Sequence, residues 1–88
     1  MSYTINISKS VQKQIYKLPH NIIARIIPKI KQLSTNPYPV GSIKLKGYEN
    51  QYRIRIGDYR VRYEVDDEKA LVKLLQCKHR KNVYKDNK

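Results

Sequence analysis

The chain contains no tryptophan and no phenylalanine, a single cysteine and only three glycines. One cysteine, Cys77, excludes an intramolecular disulfide and any cysteine-based metal site. Its place in an apolar run reads as a small buried thiol rather than a nucleophile. Three scattered glycines form no glycine-rich phosphate loop. Acidic residues are also scarce, seven against 19 basic ones. Most cluster in Asp66-Asp67-Glu68, which reads as a solvated turn. No paired carboxylates and no His/Cys/Asp ligand spacing occur, so neither a metal nor another cofactor is expected. The longest apolar stretch, Ile22 to Ile30, is broken by Arg25, Pro28 and Lys29, too short and too charged for a membrane span. The N-terminus shows no sustained apolar run of the kind a signal peptide carries, and a cytoplasmic location is expected.

What remains is charge. A formal net charge of +12 over 88 residues destabilises a compact state by self-repulsion, and points to a polyanionic partner or an acidic neutralising protein. The length suits one domain spanning residues 1–88, near the lower limit at which a single core suffices. Eight tyrosines supply all the aromatic surface, a choice suited to half-wet contacts.

Tyr3, Ile5 and Ile7 alternate with polar residues, the period of a short strand. Ser8 or Ser10 offers an N-cap. Val11, Ile15 and Leu18 then form the stripe of a short helix, which Pro19 ends. A second helix, capped by Asn21, carries Ile22, Ile23, Ile26, Ile27, Ile30 and Leu33, with a kink or late restart expected at Pro28. Beyond the loop at Pro37, Pro39 and Gly41 the pattern turns to strands. Ile43 and Leu45 alternate with lysines, Tyr52 to Ile56 and Tyr59 to Val65 alternate with arginines, and Leu71 to Cys77 reads as a buried strand. The expected fold is α+β in the order β-α-α-β-β-β, with two N-terminal helices on one face of a small antiparallel sheet.

Gly57-Asp58 is a two-residue turn of the type with glycine first. Counting outward sets Ile56 opposite Tyr59, Arg55 opposite Arg60, Ile54 opposite Val61 and Arg53 opposite Arg62. One face is then apolar, and the other carries four guanidinium groups in two opposed pairs. Opposed like charges destabilise a sheet, by roughly 0.8 kcal/mol per pair at about 5 Å in water. Glu64 relieves one arginine at most. Arginine suits bidentate phosphate recognition, so this face reads as a phosphate-binding surface. Lys44, Lys46, Lys78, Arg80 and Lys81 are expected to extend it. His79 is a candidate proton acceptor, His20 reads as structural, and Tyr84 either stacks on a base or anchors the tail.

The run Lys44-Leu45-Lys46-Gly47, then Tyr52 through Val65, then His79-Arg80 and Val83-Tyr84, resembles the RelE/ParE toxin superfamily over nearly the whole chain, and the RelE branch more closely. The resemblance implies the toxin of a toxin-antitoxin pair that cleaves mRNA in the ribosomal A site without a metal, silenced by a cognate antitoxin from the adjacent gene. It implies 2′-hydroxyl attack on the scissile phosphate, served by Arg53, Arg55, Arg60, Arg80 and Tyr84. Arg62 and the lysines at 44, 46, 78 and 81 would hold RNA. The best-known members have lysines where this chain has Arg53 and Arg55. Arginine does not give up its proton, so these two are assigned to charge stabilisation, with Lys46, His79 or Glu64 open as the base. The alternatives are a ParE-like toxin that binds DNA gyrase without cleaving RNA, and a non-catalytic RNA-binding protein.

Overall fold

A computed structural model of the protein describes residues 2–79. The chain opens with strand β1 (Thr4–Ile7) and helix α1 (Lys9–Tyr16). Ser8 starts the helix, its side-chain oxygen accepting from the Val11 N–H at 3.3 Å, which satisfies one of the donors that a helix start leaves open. Val11 and Ile15 are buried by α1. Helix α2 (His20–Gln32) begins directly after Pro19 rather than at an Asn21 cap. The Pro19 carbonyl accepts from both Ile22 and Ile23 at 3.0 Å, and the helix has no side-chain cap. Pro28 lies inside α2 without ending it. The donor it removes would have served the carbonyl of Ala24, and both residues are exposed, where water can take that place.

Four strands follow: β2 (Ile43–Lys44), β3 (Gln51–Ile56), β4 (Tyr59–Asp66) and β5 (Leu71–His79). The α+β class holds, with two refinements. The sheet has five strands in the order β1-β5-β4-β3-β2, and it is mostly rather than wholly antiparallel, because β1 runs parallel to β5. The β3–β4 ladder has the register read from the turn, Arg53 opposite Arg62 and Arg55 opposite Arg60. Gly57 takes φ +60 at the first turn position, a conformation that disfavours any residue with a Cβ.

The core fills the space between the helices and one sheet face. Val11, Ile15, Ile26, Ile30 and Leu33 meet Ile54, Ile56, Val61, Tyr63, Val65, Val72, Leu74 and Cys77. Tyr63 is the largest fully buried side chain, and its hydroxyl donates to the Pro37 carbonyl at 2.7 Å. The acidic turn does more than meet solvent. Asp67 accepts from the hydroxyls of Tyr3 at 2.7 Å and Tyr38 at 2.9 Å, tying together the start of β1, the loop after α2 and the β4–β5 turn. Both phenol pKa values are raised, that of Tyr3 mainly by this bond and that of Tyr38 by burial and then the bond. Among the described residues no helix is long and apolar enough to cross a membrane.

Burial pushes the Cys77 thiol up to about 11 and the Tyr63 phenol up to about 12. Both ionise more easily in the unfolded chain, so the stability they contribute is whole below pH 9 and falls as pH rises through the folded values. Thermal melts are expected to drop progressively above about pH 9, the ordinary pKa of a cysteine thiol. In Cys77→Ser, which has no thiol to ionise, the fall is expected to be shallower and to begin about one pH unit higher, with tyrosine. Identical alkaline limbs would rule out the cysteine contribution.

Candidate nucleic-acid interface

Strand alternation puts every second residue of β3 and β4 on the face away from the helices, so the site follows from register. At the turn end, Arg55, Arg60 and Lys78 stand side by side across three strands. The next row is Arg53, Arg62 and Gln76, and the third is Gln51, Glu64 and Lys73. Glu64 thus faces Lys73 and not an arginine.

The arginines are not equivalent. Arg62 donates through Nε at 2.7 Å, and through Nη2, to Oε1 of Gln51, its diagonal neighbour. Its guanidinium also lies 4.7 Å from the Tyr48 ring centre, a cation–π position. Arg62 is thereby held as part of the platform. Arg55 is exposed and its Nε donates to the Gly57 carbonyl at 2.9 Å, which fixes the side chain against the turn. Arg53, Arg55 and Arg60 line one open pocket of about 400 Å³. This pocket lies at the edge of β3, because two-residue β2 covers only Tyr52 and Arg53.

Three expected members lie elsewhere. Lys44 pairs with Tyr52, and Ile43 with Arg53. Directly opposed residues share a face, so Lys44 belongs to the tyrosine side and does not extend the arginine face; half-exposed Ile43 takes that place. Lys46 sits in the exposed turn before Gly47, outside the ladder. His79 pairs with Tyr59, and the two rings meet edge to face at 5.2 Å, on the helix side of the sheet. The structure therefore does not bring His79 together with the arginines. The reason is a bulge: Arg62 pairs with Gln76 but Tyr63 with Leu74, leaving Leu75 extra in β5. A bulge exchanges the faces of everything beyond it, so Lys78 joins Arg60 and His79 turns away. Arg80, Lys81 and Tyr84 lie outside the described residues.

The site also has members that the sequence reading missed. Lys29 and Gln32 of α2 and Val40 of the following loop line the arginine pocket. In the sequence Lys29 registers only as an interruption of an apolar run; its closeness to β3 depends on how α2 crosses the sheet. Among the described residues, no group of three or more His, Cys, Asp or Glu side chains is placed to hold a metal ion. The arrangement can bind and neutralise anions, with several donors converging from one rigid face.

Comparison with known proteins gives a consistent family. A family model described as the ParE toxin of type II toxin-antitoxin system, parDE, matches residues 5–84. Toxin RelG of Mycobacterium tuberculosis is 30% identical over 86 residues, which cover 97% of this chain and 99% of the relative. Putative toxin RelE1 of Methanocaldococcus jannaschii is 32% identical over 89 residues, 98% of this chain and 99% of the relative. Among solved structures, the archaeal RelE-RelB complex from Pyrococcus horikoshii OT3 contains a chain with a TM-score of 0.81 and 35% identity, the match covering 91% of this chain and 97% of that one.

Proposed function

This chain belongs to the RelE/ParE toxin superfamily of type II toxin-antitoxin systems, and from that premise we propose that it is a ribosome-dependent mRNA endonuclease working without a metal. The observation that carries the reading is the pair of opposed arginine pairs, Arg53 with Arg62 and Arg55 with Arg60, on one sheet face. A binder that used this face only for shape would have no need of the repulsion such pairs entail.

In the proposed reaction the 2′-oxygen bonds to phosphorus as the bond from phosphorus to the 5′-oxygen breaks, leaving a 2′,3′-cyclic phosphate and a 5′-hydroxyl. The 2′-proton passes to a base and a proton is delivered to the departing oxygen. Arg53 and Arg60 hold the non-bridging oxygens and stabilise the charge that develops there. Arg55, fixed against the turn, adds a second contact, and Lys78 adds charge beside Arg60. Arg80 serves the leaving oxygen and Tyr84 stacks on a neighbouring base, as the family resemblance implies. Orientation of the 2′-hydroxyl supplies much of the rate, with Glu64, on the same sheet face as the arginines, as the base. Lys46 is set aside because it lies in the turn outside the ladder, and His79 because the sheet stands between it and the arginines. The partner that silences this activity is an antitoxin encoded beside it, a reading supported by the RelB bound to the similar archaeal RelE.

Induction of the protein in cells is expected to create new mRNA 5′ ends at a fixed position within codons, absent in Arg53→Ala, and co-expression of the neighbouring gene is expected to abolish them. A second reading is favoured by the ParE description of the matching family: binding to DNA gyrase with no RNA chemistry. Unchanged transcripts together with gyrase-trapped DNA breaks would decide for it.

A further inference from the structure

Helix α2 carries Arg25 and Lys29 four residues apart, so both project from one side of the helix. They flank the stripe of Ile26 and Ile30, which is buried, and that places them at the rim where α2 meets the open edge of β3. Arg25 reaches the hairpin turn: a Cβ built on Gly57 would lie 3.3 Å from its Nη1 and 3.5 Å from its Cζ. The guanidinium thus rests over the one turn residue that leaves it room. Lys29 and Arg55 line the arginine pocket and also a second pocket of about 370 Å³, whose wall includes Arg25. The two pockets share Lys29, Arg55 and Ile56 and so adjoin, and together they form a groove from Arg60 and Arg53 around the β3 edge to Arg25. Five cations line it, Arg25, Lys29, Arg53, Arg55 and Arg60, and no carboxylate does.

We propose that Arg25 and Lys29 form a second phosphate-binding step, which takes the single-stranded RNA backbone off the sheet face and around the edge of β3 onto helix α2. The inference rests on the RNA reading above and deepens it: the strand is held at the hairpin and again at the helix. An unbroken line of cations without interleaved acid matches a polymer with one negative charge per residue. The rigid hairpin fixes the first phosphate, and α2 then sets the direction in which the chain leaves. Sequence plays no part in such contacts, so this step positions the RNA without reading its bases.

The test is the salt dependence of binding. The full chain is titrated against a fluorescent single-stranded RNA with 2′-O-methyl riboses, which cannot be cut because the attacking hydroxyl is blocked. Each phosphate neutralised contributes about 0.7 to the slope of log K against log salt for a single strand. Arg25→Ala/Lys29→Ala is expected to bind more weakly and to lower that slope by about 1.4. Arg25→Gln/Lys29→Gln, which keeps the side-chain stems, is expected to do the same, with circular dichroism melts separating lost contacts from lost fold. Lys9→Ala/Lys13→Ala removes equal charge from α1, which packs over β5, and is expected to keep the wild-type slope.

Equal slopes for the α2 and α1 variants, with a lowered slope in Arg53→Ala/Arg60→Ala, would overturn the α2 step and leave the hairpin reading standing. Failure of the wild-type chain to bind this RNA in a salt-dependent way would overturn both. If the α2 variants kept the RNA slope but lost affinity for the acidic protein encoded beside this chain, the groove would belong to that partner, and the proposal would be wrong.

Discussion

Arg60→Ala is expected to lower the single-turnover rate of RNA cleavage by about 10²–10³-fold, the usual cost of deleting one preorganised donor to a developing anion. Three observations make Arg60 the position of greatest effect. It faces Arg55 across the central ladder and Lys78 on the other side, so it stands in the middle of a row of cations. It lines the pocket that Arg53 and Arg55 also line. It is also half-buried, whereas Arg55 is exposed, and a less hydrated charge interacts more strongly with a phosphate. Arg60→Lys keeps the charge but not the two-pronged geometry, and an intermediate rate is expected. Arg62, by contrast, does not line that pocket, and the loss in Arg62→Ala is expected to be smaller. Chemical-quench measurement on ribosome-bound mRNA gives the rates. An Arg60→Ala rate within threefold of wild type, about 0.65 kcal/mol in barrier, would remove Arg60 from the reaction.

Tyr63→Ala is expected to destabilise the fold by about 3–5 kcal/mol, the range for deleting a large buried aromatic. For a domain this small that is a large share of a total near the low end of the usual 5–15 kcal/mol, so much of the variant would be unfolded at growth temperature. Tyr63 is 0% exposed, stacks on Tyr52 at 6.0 Å, and is bonded to the carbonyl of Pro37, itself buried. Tyr63→Phe keeps the ring and strands that carbonyl, so a cost of about 1–3 kcal/mol is expected. Urea unfolding followed by circular dichroism measures both. A Tyr63→Ala midpoint equal to that of Tyr63→Phe would mean that the ring's packing contributes nothing.

The arginine hairpin was legible in the sequence because its geometry is local. A two-residue turn with glycine first fixes register by counting, and the two-residue period of a strand then assigns every side chain to a face. Arg53, Arg55, Arg60 and Arg62 needed nothing else. The helices were equally legible in their apolar stripes, although the start of α2 at Pro19 and its passage through Pro28 followed from carbonyl partners and solvent access that spacing does not encode. The family, too, was contained in the order of short runs along the chain.

Tertiary structure decided what depends on distant segments meeting. Parallel pairing of β1 with β5 joins the two ends of the described chain, and nothing local announces it. The face of Lys44 hung on the path of the loop between β2 and β3, where a shift of one residue exchanges the two faces. The bulge at Leu75 made the same exchange in β5, giving Lys78 to the arginines and taking His79 away. Lys29 and Arg25 entered the site only through the crossing of α2 over the β3 edge. The sequence by itself determined that this protein carries two opposed pairs of arginines on one face of a hairpin. Which other side chains join them was decided by packing, because a side chain's face is set by parity within a strand but its neighbours are set by how the elements cross.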